Sequence, residues 1–107
     1  MATGILGTPT DVPATTNTSI YTVPADTFAI VTINITNRSS ATRDIRIALA
    51  TSGTPTAGEW IEYDTEIVAN GTIERSGIVI QAGKKVVAYI NSTDCTVMVY
   101  GIETSTT

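Results

Sequence analysis

Residues 59–83, EWIEYDTEIVANGTIERSGIVIQAG, constrain the fold more than any other stretch, because two strand-like runs there flank an Asn-Gly pair. In the first run one row of residues alternates with a mainly acidic row: Ile61, Tyr63, Thr65 and Ile67 against Trp60, Glu62, Asp64 and Glu66. Successive side chains of a strand point to opposite faces. This period of two therefore predicts a half-buried strand with the mainly apolar row inward.

The Asn70-Gly71 pair predicts a hairpin between the two runs, because both residues tolerate the positive φ of a tight type I′ turn. A two-residue loop places Glu66 opposite Arg75, a favourable pair, but it also places an isoleucine opposite a glutamate. The register of the hairpin is therefore left open. Gly77 predicts a bulge or bend before the third run begins.

Short strand-like runs separated by polar turns make up most of the remaining chain. They are predicted at residues 19–23, 27–37, 43–50, 84–91 and 95–102. The second and third of these are expected to pair as a hairpin, with inward rows Ala29, Val31, Ile33, Ile35 and Ile45, Ile47, Leu49. The last two runs are apolar on both faces, so each needs cover from a second sheet or from another chain.

The fold class predicted from these runs is all-β, an antiparallel β-sandwich or jelly-roll-like fold of seven to nine short strands. A chain of 107 residues with 21 threonines fits one such domain, because β-branched residues favour pleated, half-buried surface. We assign the single sandwich domain to residues 17–107.

Residues 1–16 are predicted to form an extended N-terminal arm, with a short strand at residues 3–6. Only Ile5 and Leu6 offer apolar anchors among glycine, threonine and proline. That is too little apolar area to offset the roughly 1–2 kcal/mol of backbone entropy lost per ordered residue. We therefore expect contacts with neighbouring chains to order this arm.

Charge and residue usage argue against several classes of function. The formal net charge is −4 with only six Lys plus Arg, which disfavours nucleic acid and anionic membranes as partners. Histidine is absent, so Ser-His-Asp and Cys-His nucleophilic catalysis are excluded, and Cys95 is interpreted as a small buried hydrophobe. Acids on alternate strand positions stand about 6.6 Å apart and splay along the strand, so we expect a solvated face or rim there and no metal site. No cofactor and no enzymatic activity are expected.

Aromatic residues leave two interpretations open. Trp60 and Tyr63 could stack on a sugar in a carbohydrate-binding module, but the alternation places them on opposite faces of their strand. The alternative is core or interface packing, with Trp60 as an anchor in a protein interface, where tryptophan is enriched. The candidate interaction residues are Ile5, Leu6, Trp60, Glu62, Asp64 and Tyr100.

Five short motifs follow one another between about residue 17 and residue 103. They are Tyr21-Thr22-Val23-Pro24-Ala25, Asn37-Arg38, Tyr63-Asp64, Ala69-Asn70 and Gly101-Ile102-Glu103. In order and spacing the chain resembles small virion structural proteins of tailed bacteriophages, cyanophage members included. The resemblance implies a β-sandwich on the particle, either as capsid cement or decoration or as a neck, collar, tail or fibre component. It supplies no catalytic residues.

Partners and location are expected to follow from that resemblance. The implied partner is the major capsid protein or another virion protein, and the implied assembly is a homo-oligomer, with a trimer as the expected form. The first residues lack the basic flank and apolar core of a signal peptide, and no apolar run approaches the about 20 residues of a membrane span. We therefore expect synthesis in the host cytoplasm and a final location in the virion.

Overall fold

The computed structural model describes residues 2–106, which form eight β-strands and one short 3₁₀ turn. The turn, Ala57–Glu59, lies between the fourth and fifth strands. No helix in this part of the chain is long and apolar enough to cross a membrane. The strands are β1 (Thr3–Asp11), β2 (Thr18–Thr22), β3 (Thr27–Asn37), β4 (Arg43–Ala50), β5 (Trp60–Ile67), β6 (Thr72–Ile80), β7 (Lys85–Ile90) and β8 (Cys95–Ser105).

Two four-stranded antiparallel sheets pack face to face. The front sheet has the order β1-β8-β3-β6 and the back sheet has the order β2-β7-β4-β5. The chain thus resembles one long hairpin, in which β1 pairs with β8, β2 with β7, β3 with β6 and β4 with β5. This strand order is that of an eight-stranded jelly roll, and it confirms the predicted all-β sandwich.

The core lies between the sheets and is filled mainly by the inward rows of β3, β4, β7 and β8. The predicted inward row of β3 is fully buried, as are Ile45 and Ile47 of β4, whereas Leu49 is only partly buried. Cys95 is buried too, and burial raises the pKa of its thiol. Each isoleucine or valine buried in this way stabilises the fold by roughly 1.5–3 kcal/mol.

Both predicted hairpins are wrong, because the consecutive strands lie in opposite sheets. β3 pairs with β6 and β8, whereas β4 pairs with β5 and β7. The turn between β5 and β6 also passes from one sheet to the other, closed by a 2.9 Å hydrogen bond from Gly71 N to Val68 O with Asn70 at φ +57°. Strands joined in this way bury their apolar rows against each other across the core.

The bulge predicted at Gly77 is confirmed. Ser76 and Gly77 together face Thr32 between the regular pairs of β3 and β6, and Gly77 has φ +70°. The positive φ is accessible to glycine at no steric cost, and the extra residue re-aims the second half of β6.

Asn37, at the end of β3, holds two turns together. Its side chain is fully buried. Nδ2 donates to the carbonyls of Ala41 and Ile67 at 2.8 and 3.1 Å, and Oδ1 accepts from Ser39 N at 3.0 Å. A backbone bond from Asn70 N to Ser39 O joins the same two turns. The Asn37-Arg38 and Ala69-Asn70 motifs are therefore neighbours in space.

The N-terminal segment departs from its predicted form as an arm. Its strand is not confined to residues 3–6 but continues to Asp11, and it is the edge strand of the front sheet, paired with β8. Leu6 is 2% exposed and Val12 fully buried, both in the chain's own core. Gly7, at φ +70°, lies so close to the Ile20 carbonyl that a Cβ would collide with it. Contacts within this chain therefore help to position the segment.

Candidate functional site

β5 does not follow the alternation that its sequence predicts, because two bulges interrupt its pairing with β4. Ile61 is an extra residue between two consecutive pairs, and further along Tyr63 and Asp64 together face Arg46. Asp64 has φ +52°, a conformation that aspartate adopts more readily than most residues. Each bulge changes which face the following side chain takes. The predicted rows of β5 are therefore wrong at Ile61, Glu62 and Tyr63, whereas Ile67 is buried and Asp64 and Glu66 are exposed as predicted.

Glu62 is the clearest consequence of these bulges. The alternation placed it in the outward row, yet it is only 6% exposed. Its carboxylate forms an ion pair with Arg75 of β6 and accepts a 2.9 Å hydrogen bond from Thr65 Oγ1. Because β5 and β6 are edge strands of opposite sheets, this ion pair links the sheets along one side of the sandwich. Glu62 thus connects parts of its own chain.

Trp60 and Tyr63 lie side by side on the outer face of the back sheet, not on opposite faces as predicted. Their ring centroids are 5.6 Å apart and their planes meet at 73°. With Ala57 they line a cleft of about 370 Å³, which we call the aromatic cleft. Beneath the Trp60 indole lie three small, fully buried side chains of the same outer face: Ala48, Ala50 and Val87.

A stacked ion pair borders the aromatic cleft. The Arg46 guanidinium lies 4.0 Å from the centroid of the Tyr63 ring and 4.7 Å from that of Tyr89. Its Nε and Nη2 donate to the two carboxylate oxygens of Asp64 at 2.7 and 3.2 Å. The hydrogen bond from Arg46 holds the pKa of the Asp64 carboxyl below its usual value. Asp64, a residue of the bulge, thus holds the Arg46 guanidinium against the Tyr63 ring.

The loop that forms one wall of the cleft is anchored by Glu59. Its Oε1 accepts from Thr56 N at 2.9 Å, and its Oε2 accepts from Thr51 N at 3.1 Å. The Lys84 ammonium lies 3.5 Å from Oε2. Hydrogen bonds from the Thr56 and Thr51 backbone, with the Lys84 charge, lower the pKa of Glu59 to about 2. Ala57 and Trp60 therefore lie in sequence on either side of Glu59, an ionised residue that anchors the loop.

The outer face of the front sheet carries a different surface. Ile30 of β3 pairs with Ile102 of β8 on one side and with Val79 of β6 on the other, so the three side chains form a row across the sheet. Ile5 of β1 lies nearby, paired with Tyr100. Ile5, Ile30, Val79 and Ile102 are 39–62% exposed, and we call this set the aliphatic face.

The candidate interaction residues from the sequence divide between these two surfaces and the interior. Ile5 and Tyr100 lie at the aliphatic face, where the Tyr100 hydroxyl donates to Glu74 Oε2 at 2.8 Å, which raises the pKa of Tyr100. Trp60 and Asp64 lie at the aromatic cleft. Leu6 and Glu62 are buried.

Sequence reasoning did not select several residues that form these surfaces: Ile30, Val79 and Ile102 of the aliphatic face, and Arg46 and Tyr89 beside the cleft. A signal for the aliphatic face was present in β3, where the outward row begins with Phe28 and Ile30 before it continues with Thr32, Asn34 and Thr36. Both β7 and β8 were expected to need cover on each face, from a second sheet or from another chain. On the outer face of β7, Val87 is covered within the chain, where Trp60 packs against it, whereas Ile102 of β8 stays exposed.

Among residues 2–106, no group of three or more His, Cys, Asp or Glu is placed to hold a metal ion. Comparison of the chain with protein-family models, with curated proteins and with solved structures gave no match.

Proposed function

We propose that this chain is a non-enzymatic structural protein of a tailed-bacteriophage virion, where it acts as a capsid cement or decoration protein that stabilises the shell. The observation that supports this proposal is the aliphatic face. Apolar side chains that lie together and exposed on a small domain mark a protein–protein contact surface. The partner is the major capsid protein or another virion protein.

The construction of the aliphatic face suits docking on a large assembly. Its side chains come from all four strands of the front sheet, and β3 and β8 pair without interruption from Thr27 to Asn37. A surface fixed by such a ladder loses little conformational freedom on binding, so more of the burial energy appears as affinity. Eight-stranded jelly rolls occur in viral capsid proteins as well as in lectins, an analogy of fold alone.

Self-association belongs to the same proposal. A homo-oligomer, with a trimer as the expected form, would bring several aliphatic faces to one site on the particle and multiply a weak contact by avidity. The alternative position is the neck, collar, tail or fibre, where the same face would contact a different virion protein. In either case the protein is made in the host cytoplasm and ends in the virion.

Imaging of intact virions of the phage that encodes this chain tests the proposal. Cryo-electron microscopy should show one jelly roll or a small cluster of them over the capsomer junctions, with the aliphatic face of each turned toward the shell. Density confined to the portal–tail axis would support the neck or tail alternative. Virions in which neither imaging nor mass spectrometry detects the chain would overturn the virion assignment.

A further inference from the structure

The aromatic cleft has the features of a small-molecule site. It is lined by Ala57, Trp60 and Tyr63, and its volume of about 370 Å³ is at the small end of the range of about 300–1,000 Å³ typical of such sites. We infer that the aromatic cleft binds neutral carbohydrate, with a hexopyranose ring stacked on an aromatic side chain of the cleft. The site lies on the outer face of the back sheet.

The geometry of the two rings fits a sugar. One face of a hexopyranose presents several C–H groups, which pack by dispersion and by electrostatic attraction against the electron-rich face of an aromatic ring. Because the Trp60 and Tyr63 planes meet at 73°, they form a corner in which a sugar stacked on one ring touches the other. Tyr63 is 57% exposed, so much of its surface is open to a ligand.

The polar groups beside the rings suit hydroxyl groups. Asp64 takes hydrogen bonds from Nε and Nη2 of Arg46, which leaves other guanidinium N–H groups and other carboxylate lone pairs free to bind a ligand. A sugar hydroxyl both donates and accepts, so it can use such a neighbouring donor and acceptor together. The ion pair has no net charge, and the chain as a whole carries −4, so nothing here favours an anionic sugar.

A proline-rich peptide is the competing occupant, because such peptides dock in aromatic-lined grooves. Proline has no backbone N–H, so a polyproline segment offers acceptors to Arg46 but no donor to Asp64. Sugar hydroxyls satisfy both residues. The donor and acceptor beside the rings therefore favour carbohydrate.

This inference does not rest on a role in the virion. The aromatic cleft is on the back sheet and the aliphatic face is on the front sheet, so the two surfaces lie on opposite sides of the sandwich. Loss of one function leaves the other measurable. A domain attached by its aliphatic face would present the cleft to the surrounding medium.

The full chain should be tested on an array of neutral oligosaccharides built from glucose, galactose, mannose and N-acetylhexosamines, with sialylated and sulfated glycans and proline-rich peptides on the same array. We expect binding to a neutral saccharide. In saturation-transfer NMR, the ring C–H protons of the bound sugar should receive the strongest signal, because they contact the aromatic side chains. Sugar-proton signals that are no stronger than those of a non-binding reference sugar would overturn the inference.

Matched variants localise the binding. Tyr63→Ala should weaken it by at least about tenfold, whereas Tyr63→Phe, which keeps the ring, should bind like the unmodified chain. Tyr100→Ala removes a tyrosine from the opposite face and should have no effect. Tyr63 is the better target because Trp60 packs over Ala48, Ala50 and Val87, so Trp60→Ala removes folding contacts as well.

Three outcomes would overturn the inference. In the first, no neutral saccharide binds. In the second, binding is confined to acidic glycans or to proline-rich peptides. In the third, Tyr63→Ala, shown by its circular dichroism to be folded, binds as tightly as the unmodified chain.

Discussion

The front sheet and the back sheet are each built from four antiparallel strands, yet their outer faces carry different surfaces. In the front sheet the outward side chains of β3, β8 and β6 line up as a flat row of Ile102, Ile30 and Val79. In the back sheet the two bulges of β5 turn Tyr63 toward Trp60 and make a cleft. The uninterrupted β3–β8 ladder thus underlies the row of aliphatic side chains, whereas the bulges of β5 create the cleft.

The two faces also differ in how their apolar groups are covered. On the front sheet nothing in residues 2–106 covers the aliphatic face, whose members stay 39–62% exposed. On the back sheet the Trp60 indole covers small apolar side chains, and the Arg46–Asp64 ion pair stands beside Tyr63. Burial of the aliphatic face therefore requires another molecule, whereas the apolar side chains beneath the cleft are already covered by Trp60.

The largest expected effect contrasts the two sides of β1. Leu6→Ala should lower the free energy of unfolding by about 2–5 kcal/mol, because Leu6 is 2% exposed and its removal leaves a cavity in the core. Ile5→Ala, one residue away on the aliphatic face, should change stability by no more than about 0.5 kcal/mol. Urea denaturation of the two variants measures the difference. Equal stability losses would mean that β1 is not seated as described.

The second prediction separates attachment from folding. Val79→Lys combined with Ile102→Lys should change the melting temperature little, because the two side chains are 62% and 46% exposed, but should weaken binding to particles that lack the protein. A charge in an apolar contact should cost at least about 2 kcal/mol, roughly a thirtyfold loss of affinity. Thr72→Lys, an exposed residue at the far end of β6, is the control and should bind normally. Attachment that survives the double variant would contradict docking by this face.

The sequence specifies the individual strands of this fold better than it specifies their pairing. The strands β3 and β4 and the inward row of β3 were predicted to the residue, because a regular strand shows its period of two directly. The pairing of the strands was not predicted correctly, since a local pattern does not show which sheet a strand joins. Asn70-Gly71 favours a tight turn, and the same turn serves a hairpin or a crossing between sheets.

The candidate site was predictable only in part. Trp60 and Asp64 were selected, but their arrangement depends on two bulges that leave no mark in the alternating sequence. Asp64 adopts positive φ within a run that otherwise reads as an ordinary strand, and it is stabilised there by Arg46 from β4. A partner 18 positions away in sequence decides the local conformation. Tertiary contacts of this kind are not visible in a local pattern.

A third, smaller effect tests whether Arg46 organises the cleft. Arg46→Gln should reduce affinity for a neutral saccharide by about two- to fivefold, the size expected for loss of an exposed cation–π contact that holds Tyr63. Titration calorimetry with the saccharide measures it. Arg38→Gln, which removes the more exposed ion pair with Asp11, is the control. If both variants bind equally well, Arg46 does not position the site.

The smallest expected effect is that acid loosens the back sheet and leaves the front sheet unchanged. Glu59 has its pKa lowered to about 2 by hydrogen bonds from the Thr56 and Thr51 backbone and by Lys84, so its contribution to stability is fully present above the unfolded value near 4.5. That contribution declines as pH falls below about 4.5 and is lost as pH passes through about 2. Trp60 is the only tryptophan and adjoins Glu59, so its fluorescence reports on the cleft.

The fluorescence of the unmodified chain should therefore hold steady from neutral pH down to about 4.5 and change with a midpoint near 2. Glu59→Gln should show the loosened signal already at neutral pH and no such transition, because the amide cannot act as a charged acceptor for the Thr56 and Thr51 N–H groups. Its deficit in melting temperature relative to the unmodified chain should shrink as pH falls from about 4.5 to about 2. Glu66→Gln, an exposed carboxylate elsewhere on β5, should titrate like the unmodified chain. If Glu59→Gln keeps the acid transition of Trp60, the anchor of this loop is another group, and acid does not distinguish the two faces through Glu59.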